Sequence, residues 1–192
     1  MISPPSGKLR VIVFNVGNGD HILLQFPNGQ YGIIDFCYQG VLKQYEPPAV
    51  TYLRNLKEEH PDQPLSLAFL HLSHPDTDHI KGFIDSWEFL EKYELLPECL
   101  WIFGGVESSS LLDTIHDEVQ KYVGQEVINE PRRKAEYAKR VIAKLQDLRQ
   151  SPPTGMEVQS LLGLKQVTGL IRNAAKVYVM APLDRQVDQF LE

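Results

Sequence analysis

The 192-residue sequence is poor in the features that would place it in a specialised class. It has two cysteines, Cys37 and Cys99, which lie far apart and in no CxxC pair. That spacing excludes a disulfide-stapled scaffold and a thiolate metal knuckle, and both side chains read as buried apolar groups in a reducing compartment. Long apolar runs are also missing. Stretches such as Ile22–Leu24 and Leu65–Leu72 fall well short of the roughly 20 residues a membrane-spanning helix needs, so no membrane segment is expected. Pro4 and Pro5 stand where a secretory signal would need an unbroken apolar core, so the expected location is cytoplasmic. Positive charge is in short supply: 19 Lys+Arg face 25 Asp+Glu, a net charge of -6. The overall field therefore cannot attract nucleic acid, and any phosphate-binding surface has to be local. No internal repeat or low-complexity tract is present.

What the chain does have is an ordinary globular composition, 43% hydrophobic and 23% charged, with enough length to bury a core. Leu9–Phe14 is an apolar, β-branched run that stops at the turn-rich Asn15-Val16-Gly17-Asn18-Gly19-Asp20. A second run, His21–Phe26, is joined by Pro27-Asn28-Gly29-Gln30 to a third, Tyr31–Phe36, which predicts a β-meander. The period then changes. Pro47–Glu59 has apolar residues at helical spacing, Leu65–Leu72 reads as a strand covered on both faces, Ile80–Tyr93 as a helix and Cys99–Phe103 as a strand. Ser110–Tyr122 and Arg132–Arg149 are further helices, Ser151–Gly155 is a break, and Lys176–Met180 is a late strand. A meander followed by alternating helix and strand predicts an α/β layered sandwich. Ligand sites in such folds favour the loops beyond the C-terminal ends of strands.

Such a loop holds Ser73-His74-Pro75-Asp76-Thr77-Asp78-His79-Ile80, two imidazoles and two carboxylates within six residues. Imidazole nitrogen and carboxylate oxygen are the usual ligands of catalytic zinc and similar divalent ions, and Pro75 lowers the entropy lost when the loop is fixed. The competing structural reading is a solvated acidic turn whose histidines cap the next helix.

The hexapeptide His74–His79 resembles the HxHxDH signature of the metallo-β-lactamase superfamily, in the HPDxDH form of its ComEC-like, competence-related branch. The likeness extends upstream to Phe14–Asp20, Leu23-Leu24 with Pro27-Asn28-Gly29, and Ile33-Ile34-Asp35, covering roughly the first 85 residues. It implies the N-terminal half of a metallo-β-lactamase-type αβ/βα sandwich, with residues 1–192 forming one domain that is incomplete at its C-terminus and carries a helical insertion over 107–150. The resemblance also implies two metal ions: His74 and Asp76 on the first, Asp78 and His79 on the second, with Asp78 and His79 the catalytic pair. Asp76 replaces the commoner histidine, so Mn2+ becomes an alternative to Zn2+. Asp35 is expected to support a ligand histidine through its other ring nitrogen, with Asp20 in a similar supporting role. The implied activity is metal-dependent hydrolysis through activated water, on a phosphodiester such as a nucleic acid or nucleotide. A β-lactam substrate is not implied.

The sequence departs from that pattern after residue 85. The family's later histidines and its Gly-Asp pair have no counterpart, and His116 reads as a helix-face residue. A missing C-terminal half or a partner chain is therefore expected to complete the site, or else the chain is a non-catalytic module that assembles with a partner. Arg132, Arg133, Lys134, Lys139, Arg140, Lys144 and Arg149 make one helix locally basic, a phosphate track or simply the wet face of an amphipathic helix. His21, His71, Trp87, Phe89 and Trp101 read as core or rim, His60 as a solvated helix end, and Gly104-Gly105 as a strand exit.

Overall fold

The apolar runs that open the chain pair as expected in the computed structural model, which describes residues 7–37, 46–103, 130–161, 164–167 and 177–180. Strands β1 (Arg10–Val13), β2 (Ile22–Gln25) and β3 (Tyr31–Ile34) form an antiparallel meander, with Val13 opposite Ile22 and Ile22 opposite Ile34. Gly29, at φ 84°, makes the second turn, which is closed by the Phe26 N–H donating to the Gln30 carbonyl at 2.9 Å. From β3 onward the strands run parallel, through β4 (Leu67–His71), β5 (Cys99–Phe103) and β6 (Glu157–Leu161), so a single mixed sheet has the order β1-β2-β3-β4-β5-β6. Parallel neighbours need crossovers, and helices supply them. Helix α1 (Pro48–Glu59) lies between β3 and β4, the one-turn α2 (Thr77–Ile80) and α3 (Phe83–Lys92) between β4 and β5, and α4 (Glu130–Gln150) between β5 and β6. A separate antiparallel ribbon pairs β7 (Leu164–Val167) with β8 (Val177–Met180).

Helical periodicity decides which side chains meet the sheet. Val50 and Leu53 of α1, Phe83, Trp87 and Leu90 of α3, and Val141, Ile142, Leu145 and Leu148 of α4 join Leu23, Ile33, Leu70, Leu72, Leu100 and Ile102 in one apolar cluster. Each such side chain contributes about 1.5–3 kcal/mol by leaving water. The two cysteines are free and buried, and Trp87 and Trp101 are core residues. The edge strand β1 is less covered: Leu9, Val11 and Val13 are exposed large hydrophobics.

Three differences from the sequence reading have local causes. The helix expected over 80–93 begins at Thr77 and is split, because Gly82 takes φ 106° between α2 and α3. Asp78 and His79 accordingly lie on a helical turn rather than an open loop. Strand β6 was not predicted: Glu-Val-Gln-Ser-Leu has no continuous apolar run, since an edge strand pairs on one side only. β7 was not predicted either. The helix expected at 110–122, His116, Gly104-Gly105 and the 107–129 part of the expected insertion lie outside the described residues, whereas 130–150 is helical. Among the described residues, no helix is long and apolar enough to cross a membrane.

The topology fixes the site's location. β3 and β4 are parallel, and β2 runs against β3, so the β1–β2 turn and the exits of β3 and β4 all lie at one edge of the sheet. His21 ties this edge to α1. It is fully buried, its ring meets Phe14 and Phe36 edge-on at 5.2 Å each, and its Nε2 accepts from the Ala49 N–H at 3.3 Å. Burial pushes its pKa down to about 4, against the opposing effect of a hydrogen bond to the Cys37 backbone. Between pH 6.5 and 4 the unfolded chain therefore binds a proton that the native state refuses, and stability falls as pH falls. At about 1.4 kcal/mol per pH unit, this group contributes a loss of up to roughly 3 kcal/mol. Urea unfolding from pH 7 to pH 4 should show a shallower acid loss in His21→Gln than in wild type. Equal pH slopes in the two proteins would contradict the assignment.

Candidate metal centre

Asp35 sits just beyond β3 with φ 56°, a left-handed conformation that a side-chain-bearing residue adopts at a cost of order 1–3 kcal/mol. That backbone turns its carboxylate inward, where the residue is only 2% exposed. A buried carboxylate has to be hydrogen-bonded. Ser73 N–H donates to Asp35 Oδ1 at 2.7 Å, the Ser73 hydroxyl donates to Oδ2 at 2.6 Å, and His79 Nδ1 lies 2.8 Å from the same Oδ2. His79 reaches Asp35 because α2 starts immediately after Asp76, whose carbonyl accepts from the His79 N–H at 2.9 Å and the Ile80 N–H at 3.1 Å.

Backbone hydrogen bonds hold the three segments together. The Asp35 N–H donates to the His71 carbonyl and the Phe36 N–H to the His79 carbonyl, both at 2.8 Å. The Cys37 N–H donates to the Asp20 carbonyl at 2.9 Å, and the Asp20 N–H to the Asp78 carbonyl at 3.1 Å. Gly19 makes this possible: at φ 128°, it approaches so closely that a Cβ would lie 2.2 Å from the Asp78 carbonyl oxygen and 2.3 Å from Cys37 Sγ. The Gly-Asp of the first turn is thus pressed onto the distant motif at Asp78 by backbone contact.

Asp20, Asp35 and His79 offer ligand atoms that all lie within 4.8 Å of one another. His79 enters that group through Nδ1, but Nδ1 is already engaged with Asp35, and Asp35 is already gripped at both oxygens. A cation inserted there would have to displace these bonds. The other ring nitrogen carries no such bond to Asp35: His79 Nε2 is 3.8 Å from Asp78 Oδ2, and the His74 ring stands 5.8 Å away, centroid to centroid. His79 Nε2 is therefore the ring nitrogen left outside the Asp35 pair. Asp20, whose Oδ2 is 3.8 Å from Nδ1, adds negative charge at the rim.

His74 and Asp76 are not drawn into the tight group. Both are exposed, and His74 Nδ1 lies 3.3 Å from the Asp76 amide nitrogen and 3.3 Å from Asp76 Oδ2. The two contacts require opposite protonation at Nδ1, since it accepts from the amide but donates to the carboxylate. The amide contact is the one with hydrogen-bond geometry, and it places the proton of a neutral His74 ring on Nε2.

Electrostatics favour a cation. Four carboxylates, Asp20, Asp35, Asp76 and Asp78, share this edge with the two histidines. For His79, burial lowers the pKa, but the hydrogen bond to Asp35 and the charges of Asp35, Asp78 and Asp20 outweigh it, and the net shift is upward. The donor set, imidazole nitrogen with carboxylate oxygen, suits Zn2+ or Mn2+.

Sequence reasoning missed two residues of this assembly. Ser73 was quoted within the motif but given no role, and Gly19 was read only as a turn former. No local pattern reports a hydroxyl bound to a carboxylate 38 positions away. Gly19→Ala should destabilise the fold by at least about 1–3 kcal/mol, through steric displacement and backbone strain. Divalent-metal affinity should fall with it, because the Asp78 carbonyl must move. Urea unfolding and metal titration check this, and an alanine variant that matches wild type in both would refute the close approach.

No protein-family model, curated protein or solved structure matches the chain.

Proposed function

We propose that the chain is a metal-dependent hydrolase of the metallo-β-lactamase fold acting on phosphodiesters, with its centre on the segment that follows β4. The fold family and the substrate class come from the resemblance of His74–His79 and the upstream hairpins to the metallo-β-lactamase superfamily, and the observation that supports a metal centre is the 2.8 Å pair between His79 Nδ1 and the buried Asp35 carboxylate. A carboxylate so placed fixes the ring and its tautomer and leaves Nε2 as a lone-pair donor, the arrangement that metal-bound histidines commonly show. Asp78, His74 and Asp76 are the remaining candidate ligands on the outer side of that ring, and their mixed nitrogen and oxygen donors fit a divalent ion. When bound, such an ion supplies Lewis acidity toward a phosphoryl oxygen and lowers the pKa of water toward neutrality.

The chain's own groups divide the remaining work. His79 presents Nε2 and is prevented from turning by Asp35. Asp78, whose carboxylate is exposed beside Nε2, accepts a hydrogen bond from the attacking water and orients it. Asp35 and Ser73 support the ring from its Nδ1 side.

A phosphodiester substrate draws support from α4. Tyr137 on this helix accepts a hydrogen bond from the Gly82 N–H at 2.8 Å, three residues after His79, so the helix docks at the end of the metal segment. Arg133, Lys139 and Arg140 are exposed on it. Local positive charge of this kind attracts a phosphate backbone despite the chain's net negative charge.

A second reading, a non-catalytic module that assembles with a partner chain, is favoured by one feature, the exposed Val11 and Val13 of edge strand β1 and Leu9 just before it. Assays on a single-stranded or duplex DNA substrate with Zn2+ or Mn2+ separate the two. The hydrolase reading expects metal-dependent cleavage that falls at least about a hundredfold in Asp78→Ala and in His79→Ala, as loss of a key electrostatic or ligand group does. Equal turnover in wild type and both variants, or no cleavage by wild type at saturating Zn2+ or Mn2+, removes these residues from catalysis.

A further inference from the structure

Ser73 grips one carboxylate at two points. Its backbone N–H holds Asp35 Oδ1 at 2.7 Å and its hydroxyl holds Oδ2 at 2.6 Å, so the plane of the carboxylate is defined from a single residue. Oδ2 is also the oxygen that faces His79 Nδ1, and Ser73 Oγ itself lies 3.3 Å from that nitrogen. Proton counting then fixes the arrangement. The hydroxyl has one hydrogen, and with it directed at Oδ2 the oxygen turns only lone pairs toward the ring. Both neighbours of Nδ1 are therefore acceptors, and Nδ1 carries the proton. The backbone half of this grip survives replacement by alanine, whereas the hydroxyl half does not.

We infer that Ser73 is a positioning residue of the centre: its hydroxyl locks the Asp35 carboxylate against rotation and so holds the His79 ring with Nε2 aimed at the ligand side. This rests on the metal-centre reading above for its consequence, but the clamp itself is a property of the metal-free protein. Without the hydroxyl, Asp35 keeps one donor on Oδ1 and its Oδ2 can swing. The imidazole is then held less firmly, and part of the ordering cost returns when a metal binds. Replacing supporting groups of this kind typically weakens metal affinity ten- to a hundredfold.

The test uses the full chain in three forms: wild type, Ser73→Ala and Ser73→Thr. Two readouts are taken, the downfield proton resonance of His79 Nδ1–H in metal-free protein and the affinity for Zn2+ and Mn2+ by titration calorimetry. The expected result is a sharp, slowly exchanging His79 resonance in wild type and in Ser73→Thr, which keeps the hydroxyl, but one broadened by exchange in Ser73→Ala. Metal affinity should be at least about tenfold weaker in Ser73→Ala and be restored in Ser73→Thr. A wild-type-like resonance together with affinity within twofold of wild type in Ser73→Ala overturns the inference. If wild type binds neither metal, the metal-centre reading fails instead, and the resonance comparison alone then decides whether the clamp exists. A Ser73→Ala chain that does not fold leaves Ser73→Thr to decide, since loss of the resonance in a folded threonine variant also overturns the clamp.

Discussion

A charged carboxylate buried at the end of a strand is the constraint from which the rest of this site follows. Asp35 is almost fully removed from water, and an ion so placed has to be compensated by donors and by opposite charge. Ser73 and His79 supply the compensation. The requirement runs both ways. The carboxylate needs the imidazole's proton on Nδ1, and the imidazole, so held, turns its remaining nitrogen toward the solvent edge where Asp78 and His74 stand. An outward-facing Nε2 thus emerges from satisfying a buried charge, with the side chains around it left partly open.

The sheet provides the frame on which this happens. The β1–β2 turn and the exits of β3 and β4 come from segments separated by as many as 60 residues, and the mixed strand order brings them to one edge. Backbone hydrogen bonds then join them: Asp20 to Asp78, Cys37 to Asp20 and Phe36 to His79. Such bonds place the loops without committing side chains, and Gly19 is the residue whose lack of a Cβ allows the closest of these approaches. The left-handed backbone at Asp35 is strain held in place by the surrounding bonds, a pattern associated with functional sites.

Much of the frame was legible in the sequence because it rests on local rules. Alternating apolar runs with turn formers between them marked β1 to β3, and helical spacing marked α1 and the apolar stripe of α4. The motif's position after an apolar strand placed it at a strand exit. What the sequence could not carry is long-range. The split between α2 and α3 depends on how Gly82 is used, since a lone glycine within a helical pattern is often tolerated. β6 escaped notice because a one-sided edge strand needs no strong apolar pattern. Ser73 and Gly19 act on residues far along the chain, so nothing in their own neighbourhoods reveals what they do. The metal-ligand reading of His74 and Asp76 came from spacing and family resemblance, and both side chains stand exposed beside each other, outside the tight group around His79.

The central claim is that His79 offers Nε2, and not Nδ1, to a divalent ion. Anomalous diffraction from crystals soaked in Mn2+ tests it most directly. The account predicts a peak within direct bonding distance of His79 Nε2, with Asp78 also bonded and the Asp35–His79 hydrogen bond intact. A peak between Asp20, Asp35 and Nδ1 with that hydrogen bond broken, or no peak at this edge of the sheet at saturating Mn2+, would contradict it.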